Sequence, residues 1–138
     1  MIELFQHLEE GYNPYLITPK WQIAQLNFSG DQALENIIRL DIHHETDEAF
    51  YLMHGKAVLV GARIVESEVK FDCELMNRHV IYNIPRNVWH NIVMNPGSKV
   101  LIIENSNTHL GDFEFYELSK IQKDELVNKV GQLLTGKE

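Results

Sequence analysis

The residues with the richest chemistry stand close together. Asp41–Gly55 reads DIHHETDEAFYLMHG, with imidazoles at His43 and His44 and carboxylates at Asp41, Glu45, Asp47 and Glu48. A second polar stretch, IPRNVWHN over Ile84–Asn91, adds His90. Imidazole nitrogen and carboxylate oxygen are donors for divalent transition metals, and imidazole also exchanges protons near neutral pH. Seven histidines in 138 residues raise the same question of metal. The first cluster is not simply a solvated face, because β-prone apolar residues follow it directly.

The elements around these groups read as strands. Asn36–His43 has two faces, with Ile38, Leu40 and Ile42 on one and Ile37, Arg39, Asp41 and His43 on the other. Glu48–His54 and Lys56–Ile64 flank Gly55, and Val65–Asn77 alternates apolar with charged residues. Val80–Ile84 ends at Pro85, Trp89–Met94 follows, and Asn95-Pro96-Gly97 is a turn. Lys99–Asn105 is almost wholly apolar and is expected to be buried on both faces. Upstream, Met1–Glu10 has weak helical spacing closed by Gly11. Gly11–Lys20 reads as loop or extended chain because of Asn13-Pro14 and Thr18-Pro19. Trp21–Phe28 is a strand, with Ala24, Leu26 and Phe28 on one parity and Trp21 and Ile23 on the other. In the tail, Ser119 and Gln122 form a capping box for a helix over about 119–134. Its apolar stripe is Ile121, Leu126, Val127, Val130, Leu133 and Leu134. Many short strands with turns between them predict an all-β sandwich or barrel.

Composition bounds the rest. The length of 138 residues is that of one domain with a sizeable core. The single cysteine, Cys73, excludes an intramolecular disulfide and a cysteine-based zinc site, and it fits a cytoplasmic protein. No apolar run is long enough to span a bilayer, and no basic-then-apolar leader opens the sequence, so no membrane partner is expected. A net charge of −8 without a basic cluster disfavours nucleic acid and leaves no place for a basic helix-turn-helix.

The two polar stretches resemble the paired motifs of the cupin superfamily, of the small cupin 2-type conserved barrel. Asp41–Gly55 is similar to G(X)5HXH(X)3-4E(X)6G at His43, Glu48 and Gly55, with six residues between the last two. Ile84–Asn95 is similar to G(X)5PXG(X)2H(X)3N at Pro85 and His90. The first histidine of the HXH pair is replaced by Asp41. The glycine after Pro85 is Asn87, a residue that also visits the left-handed region. The glycine expected before Pro85 falls on His79, and the last motif position falls on Met94. The resemblance implies a double-stranded β-helix, a jelly-roll-like barrel over about 34–107, with an N-terminal extension and a C-terminal helix in a single domain, 1–138.

It also implies a metal. His43, Glu48 and His90 would hold one divalent transition metal (Fe, Mn, Zn or Ni), with Asp41 as fourth ligand, as acceptor behind a ligand histidine, or as a surface aspartate in a site that has lost a ligand. A three-residue spacing would instead make His44 the ligand, with Ile42 beside it. The metal-free alternative is a polar pocket in which Glu48 hydrogen-bonds a histidine. Candidates for catalysis are Tyr82, through its hydroxyl, Arg39, as an anion anchor at the mouth, and His54, as a substrate contact. Each has a plainer reading as core aromatic, salt bridge or barrel-end residue. Glu104, at the end of an apolar strand, either pairs with Arg39 or Lys99 or lines the site. The expected function is that of a small metalloenzyme acting on a small polar metabolite. The alternative is a non-catalytic binding or sensing cupin with a partly degenerate site. The apolar outer layers of Asn36–His43 and Trp21–Phe28 exceed what one barrel interior can bury. A homodimer is therefore expected, in which N-terminal strands cover or extend the partner's sheet.

Overall fold

The computed structural model describes residues 1–136. Among them the strands are β1 (Gly11–Ile17), β2 (Trp21–Asn27), β3 (Arg39–Ile42), β4 (Glu48–His54), β5 (Ala57–Val65), β6 (Glu68–Leu75), β7 (Ile81–Ile84), β8 (Trp89–Met94), β9 (Lys99–Asn105) and β10 (Glu114–Glu117). A one-turn helix α1 (Thr108–Gly111) precedes β10, and α2 (Lys120–Leu134) closes the chain. The strands form two five-stranded sheets, β1-β2-β9-β4-β7 and β10-β3-β8-β5-β6, antiparallel throughout. They draw on β1, β2 and β10, which lie outside the 34–107 interval.

Alternation along the strands creates two separate cores. Inward residues of both sheets, among them Ala24, Leu26, Phe50, Leu52, Ile92 and Ile102, fill the barrel. The outward residues of the second sheet, Leu40, Val58, Val60 and Val93, pack with Leu126 and Val130 of α2. The two faces read for β3 are therefore real: Leu40 lies under the helix, and Asp41 faces the barrel. The helix opens as its sequence indicates, with Gln122 N–H donating to Ser119 Oγ and Ser119 N–H to Gln122 Oε1. Its buried stripe is narrower than expected, since Ile121 and Val127 are exposed. Gly55, at φ +86°, sits where an added Cβ would meet Ser98 Oγ at 2.3 Å. Ser98 Oγ accepts from Lys56 N–H and donates to Lys56 O, so this turn tolerates no side chain.

Three expectations are corrected, and one open reading is decided. Met1–Glu10 is not helical. Gln25 and Asn27 donate to the carbonyl of His7, and Asn27 also to that of Glu9, which fixes the segment as an extended arm. A helix this short has little stability of its own to compete. Gly11–Lys20 takes the extended form of its two readings and contains β1, because Pro14 falls where the register shifts on an edge strand and costs no ladder bond. The strand read over Asn36–His43 is only Arg39–Ile42, preceded by the 3-10 turn Leu34–Asn36. Finally, β9 is buried on one face only: Val100 and Ile102 lie inside, whereas Ile103 is 39% exposed.

Candidate metal centre

The motif residues converge inside the barrel from four strands. Asp41 on β3 lies directly opposite His90 on β8, both facing inward. His43 follows the end of β3, Glu48 opens β4, and Glu104 comes from β9. Ligand atoms of Asp41, His43 and His90 lie within 4.8 Å of one another, and so do those of His43, Glu48 and Glu104. Glu48 Oε1 is 2.8 Å from His90 Nε2 and 3.2 Å from His43 Nε2; Glu48 and His90 are buried, and His43 is largely so.

The outer ring nitrogens decide what the inner ones present. His43 Nδ1 is 2.6 Å from Asp112 O, and His90 Nδ1 is 3.0 Å from Val88 O. A carbonyl only accepts, so each Nδ1 carries the hydrogen. Each neutral ring therefore turns a bare Nε2 lone pair toward Glu48. Glu48 Oε1 is fully buried, and neither contact has the direction of a hydrogen bond. Three acceptors thus crowd one buried space, which requires a positive charge. Without metal, protons supply it. Burial opposes charging His43, but the Glu48 carboxylate wins and raises it to about 9. His90 is raised against its burial for the same reason. Burial works against ionised Glu48, yet the two imidazoles hold it low, at about 2. Nitrogen and oxygen donors with no hydrogen between them fit a divalent transition metal equally well.

A cavity of about 330 Å³ opens beside these groups. Tyr12, His109, Phe113 and Phe115 also line it, and among the described residues no lysine or arginine does. Glu104 accepts from the Tyr12 hydroxyl and, at 3.1 Å, from Gln22 Nε2. Burial first, and then the charge of Glu48, pushes Glu104 up to about 7. Burial also raises Asp41, and the nearby His90 works against it.

The remaining candidates lie elsewhere. His44 turns away from the cavity, with Nδ1 2.7 Å from Asn87 Oδ1 and Nε2 on Glu114. Arg39 Nε is 3.2 Å from Glu117 Oε1, and its guanidinium lies 5.0 Å over Phe115, so it is held in the salt bridge that was its plainer reading. The Tyr82 hydroxyl accepts from Asn77 N–H, and Tyr82 lines a different cleft. His54 is exposed at the end of β4, where it pairs with Lys99 in register. Three contributors escaped the sequence reading: Tyr12, Gln22 and Asp112. Gln22 shares the inward parity of Ala24 and Leu26, which was visible. Tyr12 sat in a stretch read only as loop or extended chain, and Asp112 carries no local signal at all. Asp112 nevertheless supports the site twice, because its carboxylate also accepts from His44 N–H at 2.8 Å and Glu45 N–H at 3.0 Å.

No protein-family model and no curated protein matches the chain in sequence. Solved structures do match in shape. Pac13 of Streptomyces, a nucleoside dehydratase, superposes with a TM-score of 0.57 at 10% identity, covering 87% of this chain and 89% of that one. The capsular polysaccharide assembling protein CapF from Staphylococcus aureus gives 0.56 at 20% identity, over 86% of this chain and 34% of CapF. The two-sheet barrel, the motif pair on its central strands and these superpositions agree. This chain has the cupin fold. A cupin-2 domain protein from Shewanella frigidimarina is also similar, at 19% identity, over 74% of this chain and 84% of that one, with a TM-score of 0.48. Among the described residues no helix is long and apolar enough to cross a membrane.

Proposed function

We propose that this protein is a small metalloenzyme that holds one divalent transition metal and moves a proton on a small, polar, uncharged metabolite. The observation that carries the reading is the meeting of His43 Nε2, His90 Nε2 and Glu48 Oε1, three acceptors that need a cation between them. His43, His90 and Glu48 would hold the ion, with Asp41 completing the set. A bound divalent ion supplies Lewis-acid polarisation of a substrate oxygen. Glu104, raised by its burial and by Glu48 in the metal-free pocket, stands beside the ligand set as the candidate general acid–base. Tyr12 and Gln22 fix the direction of its carboxylate. Among the described residues the wall beyond the ion offers no lysine or arginine to pair with an anionic substrate, so the ion is its one cation and a neutral hydroxylated or carbonyl compound fits the rest of the wall. The volume is at the small end of ligand pockets. A cytoplasmic setting belongs to the same reading, since the one cysteine, Cys73, is free.

Elemental analysis of protein purified without chelator tests the metal. About one ion per chain is expected in the wild type and none in His90→Ala, and metal-free wild type overturns the reading. Reaction is tested in D2O with neutral hydroxyaldehydes and hydroxyketones, where deuterium incorporation is expected in the wild type and not in Glu104→Gln. A second reading, a non-catalytic binding module, is favoured by Asp41 standing where the first motif histidine is expected. It calls for retained metal and ligand-induced thermal shifts without any deuterium incorporation.

A further inference from the structure

We propose that His109 is a substrate-binding residue, whose Nε2–H is a fixed donor for an oxygen of the ligand in the smaller cavity. The chemistry of that ligand rests on the metalloenzyme reading, whereas the donor rests on hydrogen-bond geometry alone. His109 stands on α1, half-buried, and lines the cavity. Its partner is Gln22, wholly buried on β2. The oxygen of the Gln22 amide accepts from Asn107 N–H at 2.8 Å. A backbone N–H cannot face an amide NH2 at that distance, so this bond fixes which end of the amide is nitrogen. That nitrogen lies 3.1 Å from Glu104 Oε2, 3.2 Å from His109 Nδ1 and 3.3 Å from the Tyr12 hydroxyl. It has two hydrogens, and the Tyr12 hydroxyl already donates its own to Glu104. The two shorter contacts take the two hydrogens, so one amide aims both Glu104 and His109.

An amide nitrogen accepts no hydrogen bond, so His109 Nδ1 is bare and the neutral ring carries its hydrogen on Nε2. Among the described residues nothing accepts that hydrogen, because the ring's one hydrogen bond is the one to Gln22. Other donors on the wall are engaged. Tyr12 donates to Glu104, Asn91 Nδ2 to Arg39 O and Thr108 Oγ1 to Asn105 O. Gln32 repeats the pattern of His109: its Oε1 accepts from Ser29 N–H at 3.1 Å and from Ser29 Oγ at 2.7 Å, which leaves its amide nitrogen without a partner. The ion takes one oxygen of a ligand, and His109 takes another. This fits a short, neutral hydroxyketone or polyol, with a carbonyl or hydroxyl on the ion and a second oxygen lone pair on Nε2–H. A site built on a fixed donor rejects an analogue without the matching oxygen far more strongly than apolar contact could.

Long-range 15N–1H NMR of the histidine rings reads the tautomer in the full chain, with and without one equivalent of zinc. His109, assigned by the signals lost in His109→Gln, is expected with a protonated Nε2 and a bare Nδ1. An Nδ1–H ring overturns the proposal whatever the metal content. Dihydroxyacetone is then titrated into the zinc-loaded protein, and the His109 Nε2–H resonance is expected to move to saturation. His109→Phe should weaken this binding at least tenfold. His109→Gln, whose amide N–H reaches the place of Nε2–H, should stay within about threefold of the wild type. Metal content should be unchanged in both variants. A resonance that dihydroxyacetone leaves unmoved overturns the proposal, and so does a phenylalanine variant that binds as tightly as the wild type. Loss of metal in that variant also overturns it, since the residue would then be a support of the ligand set. Wild type that takes up no zinc fails the metalloenzyme reading instead, and the tautomer and the titration still decide the role of His109.

Discussion

Two of the cavities among the described residues differ in kind, and the smaller one gathers the buried histidines and carboxylates. The larger, about 1000 Å³, lies among β5, β6, β7 and β8 and is lined by residues such as Arg63, Lys70, Asp72, Glu74 and Tyr82. Its charges come from β5, β6 and Lys129 of α2, with Arg63 and Lys70 paired in register, and its half-buried phenol already has a partner in Asn77 N–H. The smaller, about 330 Å³, holds Asp41, His43, Glu48, His90 and Glu104 on opposed strands. There the carboxylate oxygen of Glu48 is left without a hydrogen bond. Volume measures where something fits. Unsatisfied buried acceptors show where something is required.

The largest expected effect separates the two cavities outright. His90→Ala should abolish metal binding, and Tyr82→Phe in the larger cleft should leave metal content unchanged, both read by elemental analysis. Equal loss in the two variants would erase the distinction. Within the smaller cavity, His43→Ala should lower metal affinity at least tenfold, about 1.4 kcal/mol or more. His44→Ala should leave it near wild type, because that ring faces Asn87 and Glu114. Asp41→Ala should fall between the two. Titration of the apo variants with Mn, Fe, Ni and Zn gives the ranking.

Acidity sharpens the comparison next. His43 is raised to about 9 in the folded apoprotein against an ordinary 6.5, so the stability it contributes is complete below 6.5 and is lost as pH rises through 9. Glu104, raised to about 7, acts in the same direction between about 4.5 and 7. Glu48 is lowered to about 2, so its contribution is present above 4.5 and is lost as pH falls toward 2. The apoprotein should therefore melt highest near pH 5 and progressively lower up to pH 9. Metal must displace the imidazole protons, so its affinity should rise over the same interval, with proton release visible in calorimetry across buffers of different ionisation enthalpy. An apoprotein melting temperature that rises from pH 6.5 to 9 would contradict the charged-pocket account.

The unequal status of the two cavities was half visible in the sequence. Local signals read well. Trp89–Met94 has the bounds expected of it, the Ser119–Gln122 box opens α2, and alternation along β3 put Asp41 opposite Leu40. These depend on neighbours a few residues apart. What failed depends on distant partners. Met1–Glu10 has helical spacing, but side chains of β2 hold it extended. Tyr12 reaches Glu104 across 92 positions, and Asp112 reaches His43 across 69. Asp112→Ala tests that last link. Removing its carboxylate leaves the N–H groups of His44 and Glu45 without their acceptor while keeping the carbonyl that holds His43. A stability loss of about 1–2 kcal/mol is expected in denaturant unfolding, with a smaller change in metal affinity than in His43→Ala.

The smallest expected effect concerns Asn87, where the second motif departs from glycine. Asn87 has φ +66°, a left-handed conformation that glycine adopts freely, asparagine tolerates and β-branched residues resist. Its backbone also matters, since its N–H donates to His43 O at 2.7 Å and so ties the two motif turns together beside the pocket. Its side chain adds only a contact with exposed His44. Asn87→Gly keeps the backbone bond and loses that contact, so stability should change by less than about 1 kcal/mol and metal affinity should be unaltered. Asn87→Val must distort the turn at a cost of about 1–2 kcal/mol. The strain falls on the residue that bonds to His43, so metal affinity should drop with it. If valine proves as stable as glycine at this position, the turn is not what holds His43, and the Asp112 carbonyl is left as the ring's one fixed support.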